Sequence, residues 1–472
     1  MADAPLKPKG KTFDRRIIEG PILTAVWIVA WPSVLQNIIG GMQGVIDHAL
    51  VGHLVGYAGN AAVGVSFQMF LVVITFMMSI FTGMGVLVAR HAGAGDAEAV
   101  NHVSYQAFLA SGVMALILAP LGWVAAPYLL QLVKATDEVR AQALPYLRTL
   151  FVGGFGMMLF FMLNGALRAA GDAKTGLRLG LVMTVLNFVF NVTLIRGLGP
   201  IPSLGTMGAA LGMCMASFCA AGYGFWLMGR GNVVIHWHAD MDKSWDWAVI
   251  KQLFRFGLPT GVQGIVMNIG GVMMLRFMGS LPDAGHVQAV YAVGYSELFS
   301  FITWTSVGLM GAAATVSGQS LGAKKPERVI EAVHTANKIG IGIAAFIGLL
   351  FVVIPTQLFA VFGMTDAASI ARGVELLRWL AISGFFISTA LVYTGGLTGT
   401  GDTQGPLYIS IVSQVLLPIG LLLVLERTTT LATHHIWLAV VLGHFARAIG
   451  SIWRFRTGKW RNIRIETSAA AT

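Results

Sequence analysis

Residues 164–176 read NGALRAAGDAKTG and residues 394–406 read TGGLTGTGDTQGP, so one pattern of Gly, Leu and Gly-Asp is written twice, 230 positions apart. Other landmarks keep nearly the same offset. Pro32 with Gln36 returns as Pro259 with Gln263, Gly93-Ala94 with Glu98 returns as Gly322-Ala323 with Glu327, and Leu147-Arg148 returns as Leu377-Arg378, at offsets of 227 to 230. Such agreement in a chain this poor in polar residues implies two structurally similar halves, joined near residues 230–248.

Composition fixes the medium. The 472 residues are 56% hydrophobic and 11% charged, against about 25% charged in ordinary soluble domains. Apolar stretches long enough to cross about 30 Å of hydrocarbon run over 22–52, 61–90, 100–132, 140–170, 176–198 and 205–229. The second half repeats them over 250–279, 287–320, 328–362, 367–399, 404–426 and 434–456. They are continuously apolar, which excludes a strand barrel with its alternating pattern. The expectation is an all-α integral membrane protein with twelve transmembrane helices in two pseudo-symmetric six-helix lobes. Its parts are an N-terminal segment 1–20, a first lobe 21–229, a linker 230–248, a second lobe 249–456 and a tail 457–472.

An even number of spans per half makes the halves run the same way through the bilayer, with a substrate site expected between them. Lys and Arg number 21 in the N-terminal segment, the even-numbered connections and the tail, against 8 beside the odd-numbered connections. By the positive-inside rule both termini, and the linker, face the cytoplasm, and a bacterial inner membrane is the expected location. The net charge of +10 gathers in short basic caps, at 7–16 and 454–464, where anionic lipid headgroups account for it. The lipid bilayer, not nucleic acid, is therefore the expected partner. The first twenty residues lack an apolar core before a cleavage site, so no signal peptide is expected.

Enzyme signatures are missing. No G-x-x-x-x-G-K-[ST] loop is present to drive transport with a nucleotide, and no serine, cysteine or zinc constellation suggests catalysis. Cys214 and Cys219 share one apolar helix and read as packing residues. His236, His238 and Asp240 resemble metal ligands but stand in the linker without a second cluster. No cofactor and no metal are expected.

A charge at the centre of a membrane helix costs about 2.5 to 3.5 kcal/mol, so deep acids mark function. Asp47 and Glu297 meet that test, while most other acids fall in connections. At about 100° per residue, Gln36, Gln43 and Asp47 share one face of the first span. In the fifth span Thr184, Asn187 and Asn191 share a face, placing two amides where they could complete a proton or ion site with Asp47. Glu297 aligns at helical spacing with Phe301 and Trp304, an arrangement suited to cradling an organic cation by charge and cation-π attraction. Gln36 and its repeat Gln263 join the substrate candidates. Pro32 and Pro259 interrupt long helices and permit bending. Each of these polar groups could instead serve only as packing between helices.

Several motifs together resemble the multidrug and toxic compound extrusion family (MATE), within the larger group of multidrug, oligosaccharide-lipid and polysaccharide exporters. They are Val45-Ile46-Asp47 through Val51-Gly52, Val88-Ala89-Arg90 with Gly93-Ala94-Gly95-Asp96, Leu167-Arg168 with Gly171-Asp172, Ser317-Gly318-Gln319 with Leu321-Gly322-Ala323, and Gly399-Thr400-Gly401-Asp402-Thr403. The resemblance implies a monomeric exporter of small organic cations or amphipathic compounds, driven by protons or sodium, with Asp47 matching an acid central to coupling. It also implies an Asn and an Asp four apart in the fifth span, where this chain has Asn187 and Asn191, and a Thr where Met213 stands. The acids of the sodium-coupled branch in spans seven and ten are missing, with Met267 and Asn268 at the former. H+ is accordingly expected over Na+ as the coupling ion. The alternatives are a sodium-coupled antiporter and a flippase for anionic lipid-linked substrates. The flippase would need deep basic residues, for which Lys338, Arg148 and Arg378 are the chief candidates. A channel or receptor without coupled transport is a further rival.

Overall fold

A computed structural model describes residues 11–133, 136–200, 202–237, 241–281, 283–364 and 366–465. Among the described residues, twelve helices long and apolar enough to span a membrane carry the fold. They are α1 (Ile22–Leu54), α2 (Tyr57–Ala94), α3 (Ala97–Leu132), α4 (Asp137–Ala169), α5 (Ala173–Arg196) and α6 (Gly205–Gly229) in the first half. The second half has α7 (Trp247–Gly279), α8 (Ala284–Gly322), α9 (Pro326–Val353), α10 (Ala367–Gly399), α11 (Gln404–Thr428) and α12 (Thr433–Arg456). Polar caps start several of them: Asp96, Thr136, Asp246 and Asp366 accept backbone N–H groups of α3, α4, α7 and α10. The ninth apolar stretch, expected to run to 362, stops at Val353. Pro355 opens a separate short helix, Pro355–Val361, because its ring cannot continue the preceding helical hydrogen bonds.

The repeat is visible in the packing. Within the first half α1 packs on α5, α5 on α6, α6 on α4, and α4 on α2 and α3; the second half pairs α7 with α11, α11 with α12, α12 with α10, and α10 with α8 and α9 in the same order. Counterparts α3 and α9 turn large apolar side chains outward, among them Leu116, Leu132, Phe346 and Leu349, as a lipid-facing surface requires.

Three helix pairs make most of the contact between the lobes: α1 with α8, α2 with α7, and α2 with α8, and α1 also meets α9. Glycine makes this possible. A Cβ on Gly93 would strike the backbone of Gln319, and one on Gly322 would strike the backbone of Arg90. Each position is the other's repeat, so a pseudo-two-fold axis passes through this crossing. Gly83 and Gly257 lie equally close to the backbones of Leu253 and Ser79, which brings α2 and α7 into contact.

These contacts lie toward the end of the molecule that carries both termini, where hydrogen bonds also link the lobes. Gln319 Nε2 donates to the Ala169 carbonyl at 2.8 Å, Thr315 to that of Arg168 at 3.3 Å, and Arg90 to that of Thr400 at 3.2 Å. The terminal segments strap the same seam crosswise. Arg328 of the second lobe donates to the carbonyls of Ile17 and Gly20, and Arg90 of the first lobe donates to that of Ile463. Ile17 and Ile463 pack beneath the duplicated turns at Gly171 (φ 92°) and Gly401 (φ 95°), where positive φ favours glycine. Each turn's aspartate is buried and paired: Asp172 with Lys11 at 2.6 Å and Asp402 with Arg454 through both oxygens.

The linker is more than the polar connection its composition suggests. Val233, Val234 and Ile235 are buried, and Trp237 stacks edge-on against Tyr105 and Phe108 of α3. Asp246 takes a 3.0 Å hydrogen bond from His102. Burial alone would raise its carboxyl pKa, but the His102 bond and the backbone amides of Val249 and Ala248 outweigh it and hold the value below the ordinary range. His236 lies in this strap, while His238 and Asp240 lie outside the described residues. No group of metal-ligating side chains occurs among the described residues.

Candidate functional site

Asp47 sits in the last quarter of α1, half-buried against α5. Asn191 Nδ2 donates to Asp47 Oδ1 at 2.8 Å and to Asn187 Oδ1 at 3.3 Å. One turn back, Thr184 Oγ1 donates to Gln43 Oε1 at 2.9 Å. Thus α1 and α5 bring Gln43, Asp47, Asn187 and Asn191 together, as their shared helical periodicity suggests. Room for the Asn191 amide comes from Gly212 of α6, where a Cβ would overlap Asn191 Oδ1. Both asparagines are almost fully buried, and Asn187 Nδ2 and Asn191 Oδ1 have no hydrogen-bond partner among the described residues. His48, adjacent in sequence, turns away to Asn60 at 2.8 Å.

A separate cavity of about 370 Å³ lies between the lobes, within the range of small-molecule sites. Its walls follow the repeat. Phe81, Thr82, Gly85 and Val86 of α2 face it, as do their counterparts Met310, Gly311, Ala314 and Thr315 of α8; Gly165, Arg168 and Ala169 of α4 face it with Gly395, Thr398 and Gly399 of α10. The symmetry then breaks. Residues of α7 between Thr260 and Asn268 and Arg447 of α12 also line it, with no equivalent contribution from α1 or α6, and Ile74, Thr75 and Met78 of α2 and Leu391 and Thr394 of α10 add to it without their counterparts.

Of the residues expected to touch substrate, only Gln263 lines this cavity. Its amide also bridges to Ser410 of α11 at 2.7 Å, and Gln36 makes the matching contact within the first lobe, against Gly180 of α5. The Phe301 and Trp304 rings meet edge-on with centroids 5.4 Å apart, but Trp304 packs over Gly41 of α1. Glu297, Phe301 and Trp304 lie outside the lining. The reason is local: residues Ala292–Leu298 form a π-helical segment, whose wider turn shifts the register assumed from α-helical spacing. It aligns Tyr291, Tyr295 and Phe299 instead, stacked at 4.8 and 5.4 Å, with Trp437 and His444 of α12 beside them. Ser383 Oγ and His444 Nδ1 are 2.6 Å apart behind this column.

The basic residues also differ from expectation. Lys338 and Arg378 are exposed, and Arg148 lies over the Trp123 ring, 4.6 Å from its centroid. The cations that line the cavity are Arg168 of α4 and Arg447 of α12, neither of them among the expected three; only the packing of α4 and α12 shows that they face inward.

The MatE family model matches residues 32–193 and 259–423, one match in each lobe. The chain belongs to the MatE family. As a MatE protein it is similar over nearly its whole length to proteins of bacteria. It is 27% identical over 470 residues to the probable multidrug resistance protein NorM of Pseudomonas syringae pv. tomato, covering 96% of this chain and 99% of that one. To the protein of the same description from Thermotoga maritima it is 24% identical over 446 residues, 93% of each chain. A solved MATE transporter of the multidrug, oligosaccharide-lipid and polysaccharide (MOP) superfamily, in an outward-facing conformation, shares the fold with a TM-score of 0.88 at 21% identity, covering 96% of this chain and all of that one. This MatE chain is therefore a multi-pass membrane transporter with the two-lobed fold of its family.

Proposed function

We propose that this transporter is a secondary active multidrug efflux antiporter, exporting amphipathic organic compounds in exchange for protons taken up at Asp47. The relatives' description as multidrug resistance proteins supports the drug-like substrate class. The observation that carries the coupling ion is the hydrogen bonding around Asp47. Asn191 directs its N–H₂ group at both Asp47 and Asn187, so those oxygens accept protons instead of facing a cation. The two atoms left without partners, Asn191 Oδ1 and Asn187 Nδ2, become paired when Asp47 takes up a proton and both amides turn over. Asp47 O–H then donates to Asn191 Oδ1, which also accepts from Asn187 Nδ2. One proton thereby rewires three side chains between α1 and α5, and the two arrangements bias the lobes toward different states.

With both termini in the cytoplasm, as the basic-residue count implies, the sealed end is the cytoplasmic one and this conformation faces outward. The expected acid for a cationic substrate is not in the cavity, so the substrate class is set by other groups.

The test is transport of a fluorescent amphipathic dye in proteoliposomes under imposed proton or sodium gradients, comparing the parent with Asp47→Asn. Proton-driven uphill movement that disappears in a correctly inserted Asp47→Asn protein is the expected result. Sodium-driven movement, or normal proton-driven transport by the variant, would overturn the assignment.

A further inference from the structure

The central cavity is positively charged and has nothing within the described chain to neutralise it. Arg168 and Arg447 both line it, and no Asp or Glu does. Arg447 is only 6% exposed, makes no hydrogen bond among the described residues, and its Nε is enclosed without a partner. Arg168 lies with its guanidinium carbon 5.1 Å from the Phe81 ring centroid, and its side chain has neither an ion pair nor a hydrogen bond among the described residues. Gly311 makes its place: a Cβ there would sit 3.0 Å from Arg168 Nη1. Other titratable groups beside Arg447 are His444 and Tyr295, which lie 3.4 Å from each other, and neither supplies negative charge at neutral pH. Two guanidiniums that line one cavity without a counter-charge there are matched by an oxyanion, which pairs with guanidinium through charge-assisted hydrogen bonds.

We propose that this cavity is an anion site: it receives an amphipathic organic molecule whose carboxylate, sulfonate or phosphate head is held by Arg168 and Arg447. Its apolar body lies against Ile74, Met78, Met267, Met310 and Leu391, flexible side chains that adapt to varied shapes. The proposal rests on reading the chain as an exporter of amphipathic compounds, and it names their charge. The repeat explains how such a site arises on a symmetrical scaffold. Arg168 occupies in the first copy the place that Thr398 holds in the second, and both line the cavity, so a single difference between the copies adds one of its two charges while Arg447, from the unpaired part of the wall, adds the other.

The experiment uses three dansyl probes with the same alkyl chain, ending in a carboxylate, a carboxamide or a primary amine. Their equilibrium binding to the full-length protein in phosphatidylcholine nanodiscs is read by energy transfer from tryptophan. The carboxylate probe should bind about tenfold or more tightly than the other two, the difference a charge-assisted hydrogen bond makes. Arg168→Gln and Arg447→Gln should each reduce that preference, the Lys variants should restore most of it, and Lys338→Gln, which removes a charge from the outer surface, should leave it unchanged. If either Gln variant does not fold, Thr398→Glu provides the check by shifting preference to the amine. Equal binding of the three probes, preference for the amine in the parent, or a carboxylate preference that survives both Gln variants would overturn the proposal. A second arm adds phosphatidylglycerol to the nanodiscs. Weaker carboxylate binding then identifies a lipid headgroup as an occupant, and unchanged binding identifies a free organic anion; either supports the anion site. Binding is read without any ion gradient, so a failure of proton coupling leaves this result standing, and the reverse.

Discussion

Replacing Gly322 by Ala tests whether the α2–α8 crossing keeps the terminus-bearing end shut. The new Cβ would lie 2.9 Å from the Arg90 carbonyl carbon and 3.1 Å from its Cα, with the carbonyl oxygen closer still. Carbon atoms settle at about 3.5 to 4.0 Å, and the oxygen contact is the tighter one, so the helices must part by roughly 1 Å or more. The obstacle is backbone, which cannot rotate aside. Overpacking of this kind costs about 1 to 3 kcal/mol, charged against the sealed conformation, where the contact exists. The equilibrium should therefore shift toward opening by about 5- to 150-fold. The assay places a single cysteine at Thr398, in a background lacking Cys214 and Cys219, and measures its labelling by a membrane-impermeant thiol reagent applied from the terminus-bearing side. Labelling should accelerate at least fivefold in the Gly322→Ala protein. Gly93→Ala should act similarly, and the double variant should show less than the summed effect, because one separation relieves both clashes. An unchanged labelling rate in a folded Gly322→Ala protein, or full additivity, would refute this account of the seal.

Asn191→Asp would put a second carboxyl beside Asp47, where the present contact is 2.8 Å; two acids that close bind one proton tightly or offer a cation paired carboxylates, so sodium should begin to stimulate dye flux in proteoliposomes. Asp402→Ala should lower stability by about 3 kcal/mol, since it strands a partly buried Arg454, whereas Asp172→Ala should cost less because Lys11 is 46% exposed; thermal unfolding in detergent ranks the two. Asp246, with its depressed pKa, stabilises linker docking above the unfolded carboxyl value and loses that contribution as pH falls through its lower folded value. Nicking of the linker by an acid protease should therefore rise only below about pH 3.9, and at neutral pH in Asp246→Asn. If the substrate is a monoanion exchanged for one proton, two charges move the same way, worth about 4.6 kcal/mol per 100 mV; an inside-negative potential should drive its export, and insensitivity to potential would count against that stoichiometry.

Much of the fold was legible because membrane insertion writes it plainly. Long apolar runs gave the twelve spans, and the duplicated Gly-Asp turns announced the two lobes before any contact was known. The cluster around Asp47 was equally readable, since α1 and α5 are regular where Gln43, Asp47, Asn187 and Asn191 lie, and periodicity alone puts them on facing stripes. The cavity was not. A π segment leaves no mark in residue pattern, so Glu297, Phe301 and Trp304 were aligned on a register that α8 does not keep. Arg168 sits at the end of α4, where a basic residue ordinarily reaches for lipid headgroups, and Arg447 lies well inside α12; which of their faces meets the cavity depends on the packing of both lobes at once. Pro355 ended α9 early by a rule that was available from sequence but outweighed by the apolar run around it.

The crossed straps have a consequence for thrift. Arg90 and Arg328 together make five hydrogen bonds to carbonyls across the seam; at about 1 kcal/mol net each, they hold an idle molecule shut by a few thousandfold. Under the proposed antiport such a molecule would seldom turn over empty, and the gradient driving it would not leak away through futile cycles.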